Sequence, residues 1–295
     1  MRAVVLRETG GPDVLKVEDV PDPTPGEGEV LVRMNAIGVN HYDLNQRAGG
    51  ATSFPAILGL DAAGVREDTG ERVAVTATPG TYAELAAVPE TKLFPIPDGL
   101  GDAQAAALGV PYRVARSLAH VTDLAPGQTL LVQAGSSGTG MACIEVGRAL
   151  GASVFATASE GKLDKLRELG AEALSYDDPR LETLEADVVY EPVGAETFER
   201  SVQALAKGGR LAVAGALSSP VVSLNLWALI GKAAHVIGFS ATAAPLDESM
   251  RWLIDLAARG DLSPVIDREL PLEQAAEAHR AIEARETFGK VILRP

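Results

Sequence analysis

The residues with the clearest chemical meaning lie in mid-chain, in LLVQAGSSGTGMACIEVGRALGASVFATAS, residues 130–159. Gly135, Gly138 and Gly140 fall in one short turn with Ser136, Ser137 and Thr139. Glycines there let a backbone approach a bulky anion. A helix that starts in the turn adds unpaired N–H groups and a partial positive charge. A pyrophosphate suits that chemistry. Ser137 stands where the G-x-G-x-x-G pattern has its second glycine, and Ser136 and Ser137 could donate hydroxyls to phosphate oxygens. The end of the next strand reads as Thr157, followed by Ala158 and Ser159, with Lys162 three residues on. NAD-specific folds usually place an acid at that strand end to hold the ribose diol. A hydroxyl and an ammonium favour a 2′-phosphate instead, and hence NADP. Glu160 is the rival, because turned inward it would favour NAD. The plain alternatives are a tight strand–helix turn without a ligand and, for Lys162, a solvated helix face.

These residues need elements to position them. From Pro126 onward, short apolar strands alternate with helices. The strands are TLLVQAG (129–135), SVFATA (153–158), DVVYEPV (187–193), RLAVAG (210–215) and HVIGFSA (235–241). The helices are MACIEVGRALG (141–151), KLDKLRELG (162–170) and ETFERSVQALAKG (196–208). That alternation predicts a parallel sheet covered on both faces. Residues 1–97 read as β-rich, with strands AVVL (3–6), LKVEDV (15–20), EVLVRMNAIGV (29–39), ERVAVTA (71–77), TYAELAAV (81–88) and KLFPIP (92–97). Gly101 to Thr122 reads as helical, interrupted near Gly109 and Pro111. A helix over 272–286 and a strand KVIL (290–293) close the chain.

The chain has 295 residues, a soft indication of two domains. Its 46% hydrophobic content excludes global disorder. Forty acids against 26 bases, with no Lys/Arg cluster, exclude a nucleic-acid backbone or an anionic membrane surface as partner. One cysteine, Cys143, excludes an internal disulfide and a multi-cysteine zinc site; it fits a reducing, cytoplasmic setting. The N-terminus lacks the long apolar region of a signal peptide. The uncharged run Leu211 to Gly231 is long enough for a membrane span, but Pro220, Asn225 and its serines make it a strand, a loop and a helix.

Taken in order along the chain, EVLVRMNAIGVNHYD (29–43), LGLDAAGV (58–65), GTYAELAAVP (80–89), the AGSSGTG turn (134–140), LRELGA (166–171), DVVYEPVG (187–194), KGGRLAVAG (207–215) and GKVIL (289–293) resemble the zinc-independent quinone oxidoreductases of the medium-chain dehydrogenase/reductase superfamily. The resemblance covers nearly the whole chain. It implies an α/β fold: a doubly wound, parallel Rossmann sheet plus a GroES-like β-rich domain. The corresponding divisions are a GroES-like domain over 1–110, a Rossmann domain over 111–258 and a segment, 259–295, returning to the first domain. It also implies NADPH as cofactor, a quinone or related α,β-unsaturated carbonyl as small-molecule substrate, a site in the cleft between the domains and a homodimer. A strand such as VIGF (236–239), at a sheet edge, would suit dimerisation.

Residue by residue, Asn40 matches the asparagine of the family's G-x-N-x-x-D motif, beside the nicotinamide. Zinc-dependent relatives carry a cysteine ligand there. Asp43 matches the motif's aspartate and Arg47 the arginine often found after it, which faces either a substrate or solvent. Leu60 and Asp61 stand where zinc relatives carry a His-Glu pair; without thiolate and imidazole, catalytic zinc is not expected. Ser159, Lys162 and Tyr176 match positions that hold the 2′-phosphate, and Val193, Gly215, Phe239 and Lys290 fall in segments that line the cofactor. The chain departs from the pattern in its shortened VREDTGERV segment, in Asn45 for a tyrosine and in Val114 for a threonine.

The chemistry this suggests is hydride transfer from nicotinamide C4 to an electrophilic carbon. Asn40 is then a polar contact for the developing oxyanion, or a buried asparagine holding a turn. Asp43 reads more readily as a cap within its helix. His41 and Tyr42 are wall residues before they are a proton donor and a stacking platform, and Cys143 is small buried packing. A short-chain dehydrogenase is excluded, because no tyrosine has a lysine four residues on. An enoyl-thioester reductase and a non-catalytic NADPH-binding interaction protein remain as alternatives.

Overall fold

The computed structural model describes residues 1–239 and 244–295. The chain divides into two compact units, Met1–Val110 with Met250–Pro295, and Pro111–Ser249.

The first unit is built on β1 (Arg2–Leu6), β2 (Leu15–Asp19), β3 (Glu29–Gly38), α1 (His41–Asn45), β4 (Ala56–Ile57), β5 (Asp61–Arg66), β6 (Arg72–Val75), β7 (Leu85–Pro89), β8 (Leu93–Pro95) and α2 (Asp102–Ala107). The ten-residue β3 is its hub, pairing antiparallel with β5 and β7. A Cβ on Gly64 of β5 would stand 2.1 Å from the Arg33 carbonyl oxygen, so only glycine lets β5 lie this close. The register slips beside it, between Met34 and Ala36. The expected strand over 81–88 begins at Leu85. Apolar residues of β1, β3, β5, β6 and β7 share one core with Leu272, Val291 and Leu293 of the C-terminal segment.

The second unit begins with α3 (Val110–Val121), which starts just ahead of the boundary, and continues through β9 (Thr129–Val132), α4 (Gly138–Ala149), β10 (Ser153–Ala158), α5 (Leu163–Glu168), β11 (Glu172–Ser175), β12 (Ala186–Glu191), α6 (Phe198–Gln203), β13 (Leu205–Val213), α7 (Leu226–Lys232) and β14 (His235–Gly238). Its six strands are all parallel, in the order β11-β10-β9-β12-β13-β14. That is the doubly wound order in which the chain reverses direction between the first and fourth strands. Leu130, Leu131 and Val132 are buried, as a strand covered on both faces requires.

One expected helix is shorter than its sequence suggested. The span 196–208 is helical only over Phe198–Gln203, because Leu205, fully buried, already pairs with Ala186 as part of β13. The uncharged run resolves into the end of β13, a loop and the start of α7, and no described helix is long and apolar enough to cross a membrane. Residues 240 and 241 of the expected strand 235–241 lie outside the described residues.

The helix α8 (Leu246–Ala258) contains the division at 249/250, ahead of the boundary drawn after 258 from sequence. Then β15 (Ile266–Pro271), α9 (Ala275–Glu283) and β16 (Lys290–Arg294) complete the first unit, where β16 pairs antiparallel with β3.

Candidate active site

The glycine turn joins β9 to α4. Ala134 enters it at φ 53°, a left-handed conformation uncommon for a residue with a Cβ. A Cβ on Gly140 would meet the Ala134 carbonyl oxygen at 2.3 Å, and one on Gly135 would meet Ala156 at 2.8 Å. These two glycines shape the turn itself. Around Gly138 there is open space for a Cβ, so the fold alone does not demand glycine there.

Ser137 is the N-cap of α4. Its hydroxyl accepts from the Gly140 N–H at 3.0 Å and donates to the Ala134 carbonyl at 2.9 Å. Its hydroxyl proton is thereby used within the turn. The Ser136 hydroxyl has no partner among the described residues. The first amides of a helix have no acceptor inside it; with Gly140 capped, those of Gly138 and Thr139 face outward along the axis. Backbone donors, one free hydroxyl and open space beside Gly138 fit a dinucleotide pyrophosphate.

Thr157 differs from its sequence reading. It is fully buried, its hydroxyl donates to Gln133 Oε1 at 2.5 Å, and it accepts from the Ala134 N–H at 3.3 Å. It does not face a ribose. Ser159 and Glu160 are exposed and Lys162 half-buried, so both charge types remain near the strand end. Tyr176 is half-buried just past β11, and its carbonyl accepts from Arg200. Val193 is buried and Gly215 half-buried, in neighbouring loops that are stitched together: the Ser218 N–H and hydroxyl both donate to the Val193 carbonyl at 2.8 Å. The Phe239 N–H donates to the Val213 carbonyl at 3.0 Å, at the same end of the sheet.

In the first unit, a second group of polar residues is buried. Asn40 is the N-cap of α1 and 6% exposed. Its Nδ2 donates to Asp61 Oδ2 at 3.0 Å and to the Gly38 carbonyl at 3.3 Å, while its Oδ1 accepts from Lys290 Nζ. An ammonium on one side and a carboxylate on the other admit only this orientation of the carboxamide. Asp61 also accepts from Thr76 Oγ1 at 3.0 Å and from the Val110 N–H at 2.8 Å, and lies 3.9 Å from Lys290 Nζ. Gly109 makes room for it, since a Cβ there would sit 2.2 Å from the carboxylate. Burial lowers the Lys290 pKa, opposed by Asp61 and Asp43.

Asp43 is fully buried. Its carboxylate accepts from the N–H groups of Asn40 at 2.8 Å and Gly59 at 3.1 Å and from the Tyr82 hydroxyl at 3.3 Å. Burial pushes its carboxyl up to about 7, against those amides and the Lys290 charge. Arg47 faces neither solvent nor an open surface. It is 2% exposed, donates to Glu283 through Nη2, and its Nε and Nη1 are buried without a partner. His279, fully buried, meets the Tyr82 hydroxyl at 3.2 Å through Nε2, and burial and then Arg47 push it down to about 3. His41 and Tyr42 are exposed. Cys143 is buried and its thiol pKa raised by burial.

The structure therefore brings Asn40 and Lys290 together although 250 residues separate them, and sets Asp43 and Arg47 around them as buried framework. Sequence reasoning did not single out Tyr82 or Glu283, whose partners lie far away in the chain. Asp61 carried a signal, through its match to the zinc relatives' glutamate. Among the described residues, no group of three or more His, Cys, Asp or Glu side chains could hold a metal ion.

Two family models match the chain. A family model described as alcohol dehydrogenase GroES-like domain matches residues 26–98, and one described as zinc-binding dehydrogenase matches residues 169–293. The quinone oxidoreductase of Mus musculus is 32% identical over 324 aligned residues, covering 99% of this chain and 97% of that protein. The quinone oxidoreductase of Thermus thermophilus, also solved in complex with NADPH, is 33% identical, with a TM-score of 0.84 and all of both chains covered. A solved NAD-dependent alcohol dehydrogenase is likewise 33% identical, with a TM-score of 0.91 over all of both chains. On these relationships, the chain is an oxidoreductase and belongs to the quinone oxidoreductase family of the medium-chain dehydrogenase/reductase superfamily.

Proposed function

We propose that this protein uses NADPH to reduce a quinone or a related α,β-unsaturated carbonyl, without zinc. The observation that carries the reading is the turn at 134–140, with its outward amides, free Ser136 hydroxyl and open space at Gly138. The Thermus thermophilus relative solved with NADPH supports the choice of cofactor. Ser159, Lys162 and Tyr176 are assigned to the 2′-phosphate; Val193, Gly215 and Phe239 are assigned to line the cofactor's nicotinamide half.

NADPH supplies a hydride from nicotinamide C4. The protein's part is to orient the acceptor and stabilise the charge that develops on its oxygen. Lys290, which keeps N–H donors beyond the one it gives Asn40, is assigned that polar contact, and Asn40, whose Nδ2 protons go to Asp61 and Gly38, is assigned to orient its ammonium. Asp61 fixes both of them, while Asp43, through the Asn40 N–H, and Arg47, through Glu283, hold α1 and α9 in place. A zinc site does not fit here. The residues standing at the zinc relatives' ligand positions are Asn40, Leu60 and Asp61, and an ammonium lies 3.9 Å from the one carboxylate. The assembly is proposed to be a homodimer. β14 is the edge strand of its sheet among the described residues, and Val221, Leu226, Trp227, Ile230 and Val236 are exposed nearby in sequence. Light scattering giving only the mass of one chain would remove that assignment.

The test is a titration with NADPH and with NADH, followed by nicotinamide fluorescence, with 1,4-benzoquinone or 9,10-phenanthrenequinone added afterwards. Preferential NADPH binding followed by enzyme-dependent oxidation is expected. Equal or better NADH binding would move the adenosine site to Glu160. Binding without oxidation of quinone or enone would leave a nucleotide-binding protein.

A further inference from the structure

The parallel sheet ends in a buried polar relay. The Ala134 N–H donates to Thr157 Oγ1 at 3.3 Å. The Thr157 hydroxyl donates to Gln133 Oε1 at 2.5 Å. Gln133 Nε2 donates to Ser201 Oγ at 3.0 Å, and the Ser201 hydroxyl donates to Glu191 Oε2. Glu191 is fully buried and also accepts from the N–H groups of Val193 at 2.7 Å and Gly194 at 3.0 Å, and from Thr197 Oγ1 at 2.8 and 2.9 Å. Thr157, Ser201 and Glu191 are 0% exposed and Gln133 1%.

Two properties set this relay apart from ordinary core satisfaction. Every hydrogen bond runs the same way, from the Ala134 amide to the Glu191 carboxylate, so successive dipoles reinforce one another. Its two ends also grip the backbone at the two places where cofactor contacts are assigned. At one end is Ala134, held left-handed at φ 53°, whose carbonyl in turn accepts from the Ser137 N–H at 3.0 Å and the Ser137 hydroxyl at 2.9 Å. At the other is the turn through Val193 and Gly194, where φ is 91° and a Cβ on Gly194 would meet the Ser219 carbonyl oxygen at 2.3 Å. The side chains between them come from β10, α6 and β12 and from the residue after β9.

The geometry points to Gln133, Thr157, Ser201 and Glu191 as positioning residues for the dinucleotide, which hold the pyrophosphate turn and the 193–194 turn in one fixed arrangement. This rests on the reading of the 134–140 turn as the NADPH site. None of the four need touch the cofactor. They act by keeping two backbone turns, one of them left-handed at Ala134, in the conformation that receives it.

The experiment uses the full chain. Thr157→Val removes the hydroxyl at nearly constant shape and breaks the relay at its turn end; Thr157→Ser retains it. Thr157→Val is expected to raise the Kd for NADPH about tenfold, the size of one lost buried hydrogen bond. Its KM for NADPH should rise in parallel, while kcat at saturating NADPH changes less. Thr157→Ser should stay within about twofold of the parent in Kd. Ser201→Ala, which does not touch Thr157, should also raise the Kd, and the double variant with Thr157→Val should be weakened by less than the product of the two, because either break opens the same chain. Melting temperatures identify variants that fail to fold, and Thr157→Ser keeps the comparison available if Thr157→Val is among them. An unchanged NADPH Kd in Thr157→Val, or weakening that Thr157→Ser does not rescue, or effects that simply multiply would overturn the inference while leaving the cofactor reading intact. A parent protein that binds neither NADPH nor NADH would remove both.

Discussion

Each unit buries a polar cluster, and the two are made of opposite materials. The first combines an ammonium, a guanidinium and three carboxylates: Lys290, Arg47, Asp43, Asp61 and Glu283, joined through Asn40, Tyr82 and His279. The second has one carboxylate, Glu191, and otherwise only amides and hydroxyls around a backbone turn. The bonds of the first span up to 250 residues; those of the second span up to 68. A dinucleotide is bound largely by backbone shape, which neutral hydrogen bonds can fix. Stabilising charge on a reacting oxygen requires charges held in place before the reaction begins.

Breaking a charged cluster should cost more than breaking a neutral one. Lys290→Met leaves Asp61 buried without its cation, and is expected to lower stability by about 3–5 kcal/mol in urea unfolding. The double variant with Asp61→Asn should recover part of that loss. If Lys290→Met is no less stable than the parent, the first cluster is not an electrostatic unit.

The turn in the second unit is expected to fail through shape. Gly140→Ala places a Cβ 2.3 Å from the Ala134 carbonyl oxygen and should weaken NADPH by roughly 100-fold, about 2.7 kcal/mol. Gly138→Ala meets open space, so its melting temperature should hold while NADPH binding falls. Unchanged binding in both variants would detach the cofactor from this turn.

His279 sharpens the contrast through pH. Held down to about 3, it stays neutral in the folded chain while the unfolded chain takes up a proton below its ordinary value of about 6.5. Its contribution to stability is thus full above that value and is lost as pH falls toward the folded value. The expected slope is about 1.4 kcal/mol per pH unit below 6.5, and His279→Gln should flatten it. Unfolding curves with the same pH slope in both proteins would show that His279 is not the source.

The smallest expected effect concerns cofactor choice. Lys162→Ala should raise the NADPH Kd about fivefold, near 1 kcal/mol, with NADH unaffected. Equal weakening of both nucleotides would assign Lys162 to the helix and not to the 2′-phosphate.

How much of this was legible in the sequence follows the same contrast. The glycine turn, the parallel strands and the helix after the turn were readable, because their signals are local: Gly140 makes room for the carbonyl of Ala134 in its own turn. The family motif pointed to Asn40. It could not show that Lys290, placed with the cofactor segments, would meet the Asn40 carboxamide, because strand pairing between β16 and β3 creates that contact. Thr157 illustrates a different loss. Its position at the strand end was right, but its side chain turned inward to Gln133, and strand register decides that orientation. Arg47 read from sequence as facing either a substrate or solvent; the structure buries it instead and pairs it with Glu283, 236 residues later. The helix at 196–208 was overestimated because burial of Leu205 in the sheet overrides local helical periodicity.

In the proposed reaction a hydride passes from NADPH to a quinone, and the protein's own side chains, not zinc, stabilise the developing charge. The most direct measurement is the rate of NADPH oxidation on mixing with 9,10-phenanthrenequinone, before and after exhaustive chelation, with zinc content determined on the same samples. The same rate is expected in protein stripped of zinc. A rate that disappears with the metal and returns when Zn²⁺ is added back would contradict it.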